Sequence, residues 1–285
     1  KTLLLKNKEI KIAEIGDTYV IRKYSGRGIF FKLVEQSKNI ALAHNLNFIY
    51  GTPNFQSLPG YLKYCGFEKS KFIKPFSYSY QYEIKNYLKP KLGSFFSGLL
   101  NLTFRFFLKI HHFFMSLLNS FLYDYELHYI SSFSNDFDKF FEMASKEWDF
   151  IFSKKSKYLN WRFCENPNNY SIILVKKSDN IVGYIVYRIV EGPITSKLVI
   201  ADFLFLNKNL SAFSFVLSKI RKDVFKNNFS SINIWCDINS SYVSVLNKNG
   251  FIFKKEIPFI NLMNSISSSS KSIKNIHFTI SDTDN

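Results

Sequence analysis

The chain carries a glycine pair at a point where an extended run is expected to pass into a helix. Tyr19-Val20-Ile21 is apolar and reads as a short strand, and it is followed by Arg22-Lys23-Tyr24-Ser25-Gly26-Arg27-Gly28. Phe30, Leu33, Val34, Ser37, Ile40, Ala41 and His44 then recur at helical spacing, which predicts a helix from Ile29 to about Asn45 with one buried face. The first N–H groups of such a helix have no intrahelical partner, and its dipole adds partial positive charge there. An anion fits that position. Gly26 and Gly28 remove side chains that would hold a diphosphate away, while Lys23 and Arg27 place full charges beside it. Two familiar phosphate loops are excluded by spacing. A dinucleotide fingerprint needs a glycine where Phe31 stands, and a P-loop needs a Gly-Lys-Ser/Thr ending that is missing. A Gly-x-Gly by itself is more often a tight turn than a ligand site.

Beyond the helix a strand is expected at Phe48-Ile49-Tyr50-Gly51, then a polar turn over 52–57. Ser57 can cap a short second helix that tolerates Pro59 in its first turn and stops at Gly66. This order, ending in Tyr61-Leu62-Lys63-Tyr64-Cys65-Gly66-Phe67, resembles the GNAT N-acetyltransferases. In that family a [Gln/Arg]-x-x-Gly-x-[Gly/Ala] loop grips the diphosphate of acetyl-CoA, and the tyrosine of a Tyr-x-x-x-x-Gly-Phe segment protonates the departing CoA sulfur. Lys23 to Gly28 matches the loop, with Lys23 in place of the usual Gln or Arg, and Tyr61 matches the tyrosine. The run from Arg27 to Asn54 further resembles acyltransferases of surface-polysaccharide and sugar-modification pathways. The resemblance covers about the first quarter of the chain with specific motifs and a later segment with weaker ones.

The resemblance implies acetyl-CoA as acyl donor, held by Arg22, Lys23, Ser25, Gly26, Arg27, Gly28 and Ile29, with the thioester between two splayed strands ending near Arg22 and Gly51. Asn54 either helps position the ligand or forms a turn. The acceptor is expected to be an amine, an amino sugar or sugar nucleotide foremost, and it must be neutral to attack. Glu14 or Asp17 would take its proton and Tyr61 would donate to the leaving thiolate, since phenol and thiol pKa values lie within roughly two units. Each of these carboxylates reads equally well as a solvated turn residue. A tRNA-dependent aminoacyl transferase of tandem type and a non-catalytic membrane-associated protein are the competing readings.

The chain opens at Lys1 with an apolar strand at Leu3-Leu4-Leu5, a turn, and a second strand at Ile10–Ala13. A complete domain of this kind has further elements ahead, so the first unit is expected to be incomplete. A formal charge of +16 favours anionic partners without choosing among CoA, sugar nucleotides, lipid headgroups or nucleic acid, and the intact loop makes nucleic acid the weaker expectation. Cys65, Cys164 and Cys236 are widely spaced and form neither a disulfide framework nor a zinc pattern, so no metal is expected. A cytoplasmic location, at the inner face of a membrane or away from it, is expected.

From Lys71 to about Tyr125 the chain reads as a connector, broken by Pro75 and Pro90. Leu92, Phe95, Phe96, Leu99, Leu100, Phe106, Phe107, Ile110, Phe114, Leu117, Leu118 and Phe121 repeat at helical intervals, with Arg105, Lys109, His111 and His112 among them. The uncharged runs fall short of the roughly 20 apolar residues of a spanning helix. Such a face suits either a membrane interface or packing between domains or copies.

From Tyr129 to Met263 the organisation repeats: a helix around 136–146, paired strands at 171–175 and 181–190, a strand at 198–205, a helix at 210–224, a strand at 232–236, and a short helix ending at Asn249-Gly250-Phe251. This unit has no glycine in its turn at 206–210, and Val245 stands where Tyr61 stands in the first, so it is not expected to transfer acetyl groups. Tyr158, Trp161 and Arg162 could bind a sugar ring or anion, or serve packing and an ion pair. The expected fold is mixed α/β (α+β). Residues 1–75 are the end of one GNAT-like unit, 76–128 an aromatic-rich helical connector, 129–263 a second, degenerate unit, and 264–285 a polar serine-rich tail.

Overall fold

The computed structural model describes residues 1–46, 48–192, 195–227, 229–263 and 273–283, with the side chains of 86, 87, 112, 113, 115–122 and 263 outside the description. His112, Leu117, Leu118 and Phe121 of the expected apolar helix, and residues 264–272 of the expected tail, therefore lie outside the described side chains or residues.

β1 (Thr2–Leu5) and β2 (Lys8–Lys11) form a hairpin. Its turn residues Lys6 and Asn7 both take positive φ, the geometry that matches strand twist in a two-residue loop. β3 (Ala13–Glu14) follows, then α1 (Ile29–Ala43), β4 (Phe48–Gly51), α2 (Leu58–Tyr64) and β5 (Glu68–Lys69). β3 runs parallel to β4, with Ala13 opposite Ile49 and Glu14 opposite Tyr50. The strand that feeds the glycine loop is thus Ala13–Glu14 and not Tyr19–Ile21 as the apolar run suggested. Asp17 turns the chain out of the sheet at φ +48, and Tyr19, 76% exposed, has no strand partner to pack beside.

β6 (Pro75–Gln81) leads into α3 (Lys85–Leu122), which contains Pro90 and is interrupted by a non-helical Gly93. Residues 75–81, expected in the connector, are instead a core strand. β7 (Glu126–Ile130), α4 (Asp136–Ser145), β8 (Phe150–Phe152), α5 (Ser156–Leu159), β9 (Ser171–Lys177), β10 (Asn180–Val190) and β11 (Lys197–Phe205) follow. The remainder is α6 (Leu210–Lys226), β12 (Ser231–Asp237), α7 (Tyr242–Lys248), β13 (Ile252–Glu256), β14 (Ile260–Met263) and β15 (Ile276–His277).

Two of the sheets explain how the units are joined. The larger has the order β13-β6-β12-β11-β10-β9-β7, and another has the order β3-β4-β14-β5. In each, a parallel pair (β11 with β12, β3 with β4) is connected through a helix and followed by a short helix and a strand. The slot between the second strand of the pair and that last strand is filled by the other unit. β6, which leaves the first unit, lies between β12 and β13, and β14, which leaves the second, lies between β4 and β5. This reciprocal exchange puts strands from both halves of the chain into each of the two sheets.

The third sheet, β15-β8-β1-β2, sits at the junction. Here the expectation of a solvated tail fails for 273–283. Ile276 and Phe278 pack in a core with Leu3, Tyr50, Phe150 and Phe152, and Asp282 is fully buried. Lys154, itself buried, pairs with Asp202 at 3.1 Å and with Asp282, and donates to Ser281 Oγ at 3.0 Å. Composition read the tail as coreless because its polar residues outnumber its apolar ones. Most of those polar groups, those of Thr279, Ser281 and Asp282 among them, are satisfied by one another and by Lys154, Asp202, Tyr158 and Arg162, which lets them be buried.

Candidate functional site

The glycine loop is built as the local chemistry requires. Gly26 and Gly28 have φ of 77° and 71°, a left-handed conformation that residues with a Cβ adopt at a cost. Gly28 is the N-cap of α1, and its carbonyl accepts from Lys32 N at 3.1 Å. No atom lies within 4 Å of where a Cβ would stand on either glycine, so backbone geometry and access select glycine here rather than packing. Ser25, Gly26, Gly28 and Ile29, with Tyr24, Phe30, Asn54 and Gly60, line an open cavity of about 400 Å³. The charged residues expected to hold the ligand, Arg22, Lys23 and Arg27, are not among the residues that line it and stand beside them. Lys23 and Arg27 lie over the Tyr24 ring at 5.7 and 5.5 Å, and Arg22 begins a 3₁₀ turn, its carbonyl accepting from Ser25 N at 3.1 Å.

A second cavity, about 370 Å³, adjoins the first. Its lining includes Glu14, Asp17, Thr52, Tyr61, Trp235 and Glu256, and the two cavities share Thr18, Asn54 and Ser57. The two cavities thus lie side by side across these three residues, one at the helix N-terminus and the other reaching Trp235, Lys255 and Glu256 of the second unit. Gly51 allows the close approach of β4 to Ile15, since a Cβ there would meet the Ile15 carbonyl oxygen at 2.6 Å. The paired strands end near Glu14 and Gly51; the expected position near Arg22 is corrected accordingly.

Tyr61 is 3% exposed, wedged edge-on between Phe30 and Phe67, and its hydroxyl donates to Thr18 Oγ1 at 2.9 Å. Burial raises its pKa above the usual phenol range, with the Thr18 contact opposing, so the group keeps its proton at neutral pH. Glu14 forms an ion pair with Lys1 and accepts from Tyr50 OH at 3.1 Å, which fixes its carboxylate at the cleft wall. Asp17 is exposed at the mouth of the cleft. Asn54 is a turn residue as well as a lining one. Its Oδ1 accepts from Gln56 N at 3.0 Å and Ser57 N at 2.9 Å, and Ser57 itself makes no side-chain cap to α2.

Tyr158, Trp161 and Arg162 do not line this cleft. Tyr158 OH donates to Ser281 O at 3.2 Å and Arg162 Nη2 to Thr283 O at 2.6 Å, so both hold the buried terminal segment. Trp161 is 55% exposed and packs at a tilt on Tyr158. In place of these residues the second unit contributes Trp235, Lys255 and Glu256 to the cleft. Nothing local to those positions marked them, because only the strand exchange brings them to the first unit.

The corresponding opening in the second unit is filled. β11 and β12 pair only from Lys197–Ser231 to Ile200–Ile234 and then part. Tyr242, with Trp148, Phe203, Phe213 and His277 packed around its ring, occupies the gap. His277 Nε2–H donates to Phe203 O at 2.7 Å, and burial depresses its pKa to about 3, so it stays neutral.

No family model and no curated protein matches the chain at the level of sequence. The fold is nevertheless that of the GNAT acyltransferases. A GCN5-related N-acetyltransferase from Anabaena variabilis superposes with a TM-score of 0.61 at 10% identity, over 92% of this chain and 58% of its own. A probable N-acyltransferase from Enterococcus faecalis gives 0.55 at 15% identity, over 91% and 56%. Saccharomyces cerevisiae N-myristoyltransferase with bound myristoyl-CoA gives 0.57 at 9% identity, over 92% and 61%. The chain thus spans somewhat more than half the length of these structures.

Proposed function

We propose that the first unit transfers an acetyl or other short acyl group from its CoA thioester to the amine of an amino sugar or sugar nucleotide. The observation that supports this most directly is the adjacency of two cavities: the one at the left-handed glycine turn that heads α1 shares Thr18, Asn54 and Ser57 with the one lined by Tyr61 and Glu14.

The residues present suit the donor. N–H groups around Gly26 to Ile29 would hold its diphosphate, aided by the dipole of α1 and by the neighbouring charges of Lys23 and Arg27. The thioester would lie where β3 and β4 end. The amine, bound as an ammonium, loses a proton to a cleft carboxylate, Glu14 or Asp17. The neutral amine would then attack the carbonyl carbon, forming the C–N bond as the C–S bond breaks. Tyr61, protonated, gives its proton to the departing sulfur. The nitrogen's second proton would leave to solvent, from which the Tyr61 phenolate is reprotonated after it has protonated the thiolate. The acceptor half of the cleft favours such a partner. Although the chain carries +16, this wall presents Glu14, Asp17 and Glu256 against Lys255, and Trp235 offers a ring face on which a sugar can stack. A surface-polysaccharide pathway is the setting this acceptor class suggests.

Calorimetry with acetyl-CoA tests the donor, and a thiol-release assay across a panel of amino sugars tests the acceptor. Micromolar binding that Gly28→Glu abolishes is expected; absence of binding, or binding indifferent to that change, removes the reading.

A further inference from the structure

Surface helices of folded proteins turn their apolar stripe inward. α3 does so only in part: Leu108 packs on the core and Phe104 is half-buried, while most of its other described large apolar side chains face outward. Ser97 is fully buried, Asn101 Oδ1 accepts from Ile84 N at 2.8 Å, and Arg105 faces Glu83 at 3.6 Å while lying over the Phe225 ring. The polar residues of the helix thus serve its attachment to the protein. Phe95, Phe96, Leu102, Phe106, Phe107 and Phe114 point away from it, with Phe95 78% and Phe107 68% exposed. Six side chains of this size present an apolar area on the order of 600 Å². That stands at the upper end of the roughly 300–600 Å² of a monomer's largest apolar patch, which commonly marks an interaction site.

Charge decides what covers this face. The segment Lys85–Leu122 contains no Asp or Glu, and it carries Lys85, Lys89, Lys91, Arg105 and Lys109. A second copy would bring the same cations to the contact and the same +16 overall, so two such faces repel. An anionic surface attracts them. Among the described residues no helix is long and apolar enough to cross a membrane, which leaves an orientation in the interface plane. Gly93, at φ 74° and ψ 175°, separates the basic entry with Lys85, Lys89 and Lys91 from the apolar stretch, so the cations can sit at headgroup depth while the aromatic rings sit deeper. Lys109, exposed within the apolar stretch, has the reach to bring its ammonium back to the headgroups.

We propose that α3 lies flat in the surface of an anionic phospholipid bilayer, inserting Phe95, Phe96, Phe106, Phe107 and Phe114. This stands on the helix alone and holds whether or not the cleft transfers acyl groups. Cosedimentation with vesicles of phosphatidylcholine containing a quarter phosphatidylglycerol tests it. The protein should pellet with these vesicles, much less with pure phosphatidylcholine, and less at high salt. The pair Phe106→Ser and Phe107→Ser should weaken partitioning by roughly tenfold or more. Lys85→Glu with Lys89→Glu should weaken it as well, through the charge term. Unchanged far-ultraviolet circular dichroism and unchanged unfolding midpoints show that the variants fold. Failure of the wild type to bind anionic vesicles overturns the proposal, as does equal binding by the folded serine variant. A dimer that the serine variant dissociates, without vesicle binding, assigns the face to a second copy and overturns it too.

Discussion

The hydroxyl of Tyr242 satisfies both backbone polar groups of Phe205, accepting from its N–H at 2.7 Å and donating to its carbonyl at 2.9 Å. Phe205 ends β11 beyond the point where β12 has parted from it, so these groups have no ladder partner. In the first unit the equivalent divergence opens into the cleft. One phenol therefore separates a filled gap from an open one, and the second unit serves as a packed support that lends Trp235, Lys255 and Glu256 to the first.

Removing that phenol leaves a buried donor and acceptor unpaired. Tyr242→Phe should destabilise the fold by about 1–3 kcal/mol. Acetyl-CoA affinity, measured by calorimetry below the unfolding transition, should be unchanged because the glycine loop lies in the other unit. A marked loss of affinity would show that the second gap takes part in donor binding.

Tyr61→Phe should lower kcat by on the order of a hundredfold, the range of general-acid contributions, with little change in the dissociation constant for CoA. The sign of its pH effect follows from its raised pKa. Tyr61 is the proton-bearing form through neutrality, so its ionisation should depress kcat only above about pH 10. The phenylalanine variant should lack that alkaline limb. A profile of kcat with the same limb in both proteins would remove Tyr61 from the chemistry.

Gly28→Ala meets no neighbour, so its cost is conformational: about 1–2 kcal/mol for forcing a Cβ into the left-handed region. Gly28→Asn should be milder on the unfolding midpoint, since Asn tolerates that region better. Gly28→Glu adds a negative charge at the diphosphate position and should abolish donor binding while the protein stays folded. The contrast between the three, read by thermal unfolding and calorimetry together, separates strain from ligand repulsion.

Asp237 gives a stability prediction. It is buried at the end of β12, where it accepts from Lys74 N at 2.6 Å and Asn239 N at 2.9 Å, and burial pushes its pKa up to about 6. Because the folded state holds this proton more tightly than the unfolded chain, its contribution is present below about pH 4 and is lost as pH rises through 6. Asp237→Asn cannot titrate. Relative to wild type it should gain roughly 2–3 kcal/mol between pH 4 and pH 7, measurable as a shift in urea midpoint. A constant difference across that window would show that Asp237 is not protonated in the fold.

Much of the local structure was legible in the residues. The period of Phe30, Val34 and Ala41 gave α1, and the halt at Gly66 and at Gly250 follows from their left-handed φ, which the sequence marks by placing glycine there. The loop at Ser25–Gly28 could be read for the same reason, since its chemistry is local to a helix start. The feeding strand was misplaced because Tyr19-Val20-Ile21 is apolar yet unpaired, and pairing is a property of the partner strand and not of the run itself.

The sequence by itself determined the repeated order of elements, the left-handed glycine turn at the head of α1, and the absence of glycine from the corresponding turn of the second unit, because each depends on residues a few positions apart. Tertiary structure alone decided that β6 and β14 change places, that Trp235 faces the cleft, that Tyr158 and Arg162 hold residues 281 and 283, and that a polar terminal segment is buried around Lys154. Those outcomes rest on hydrogen-bond partners and ion pairs drawn from positions more than a hundred residues distant. No short-range pattern records which distant group will satisfy a strand edge or a buried charge.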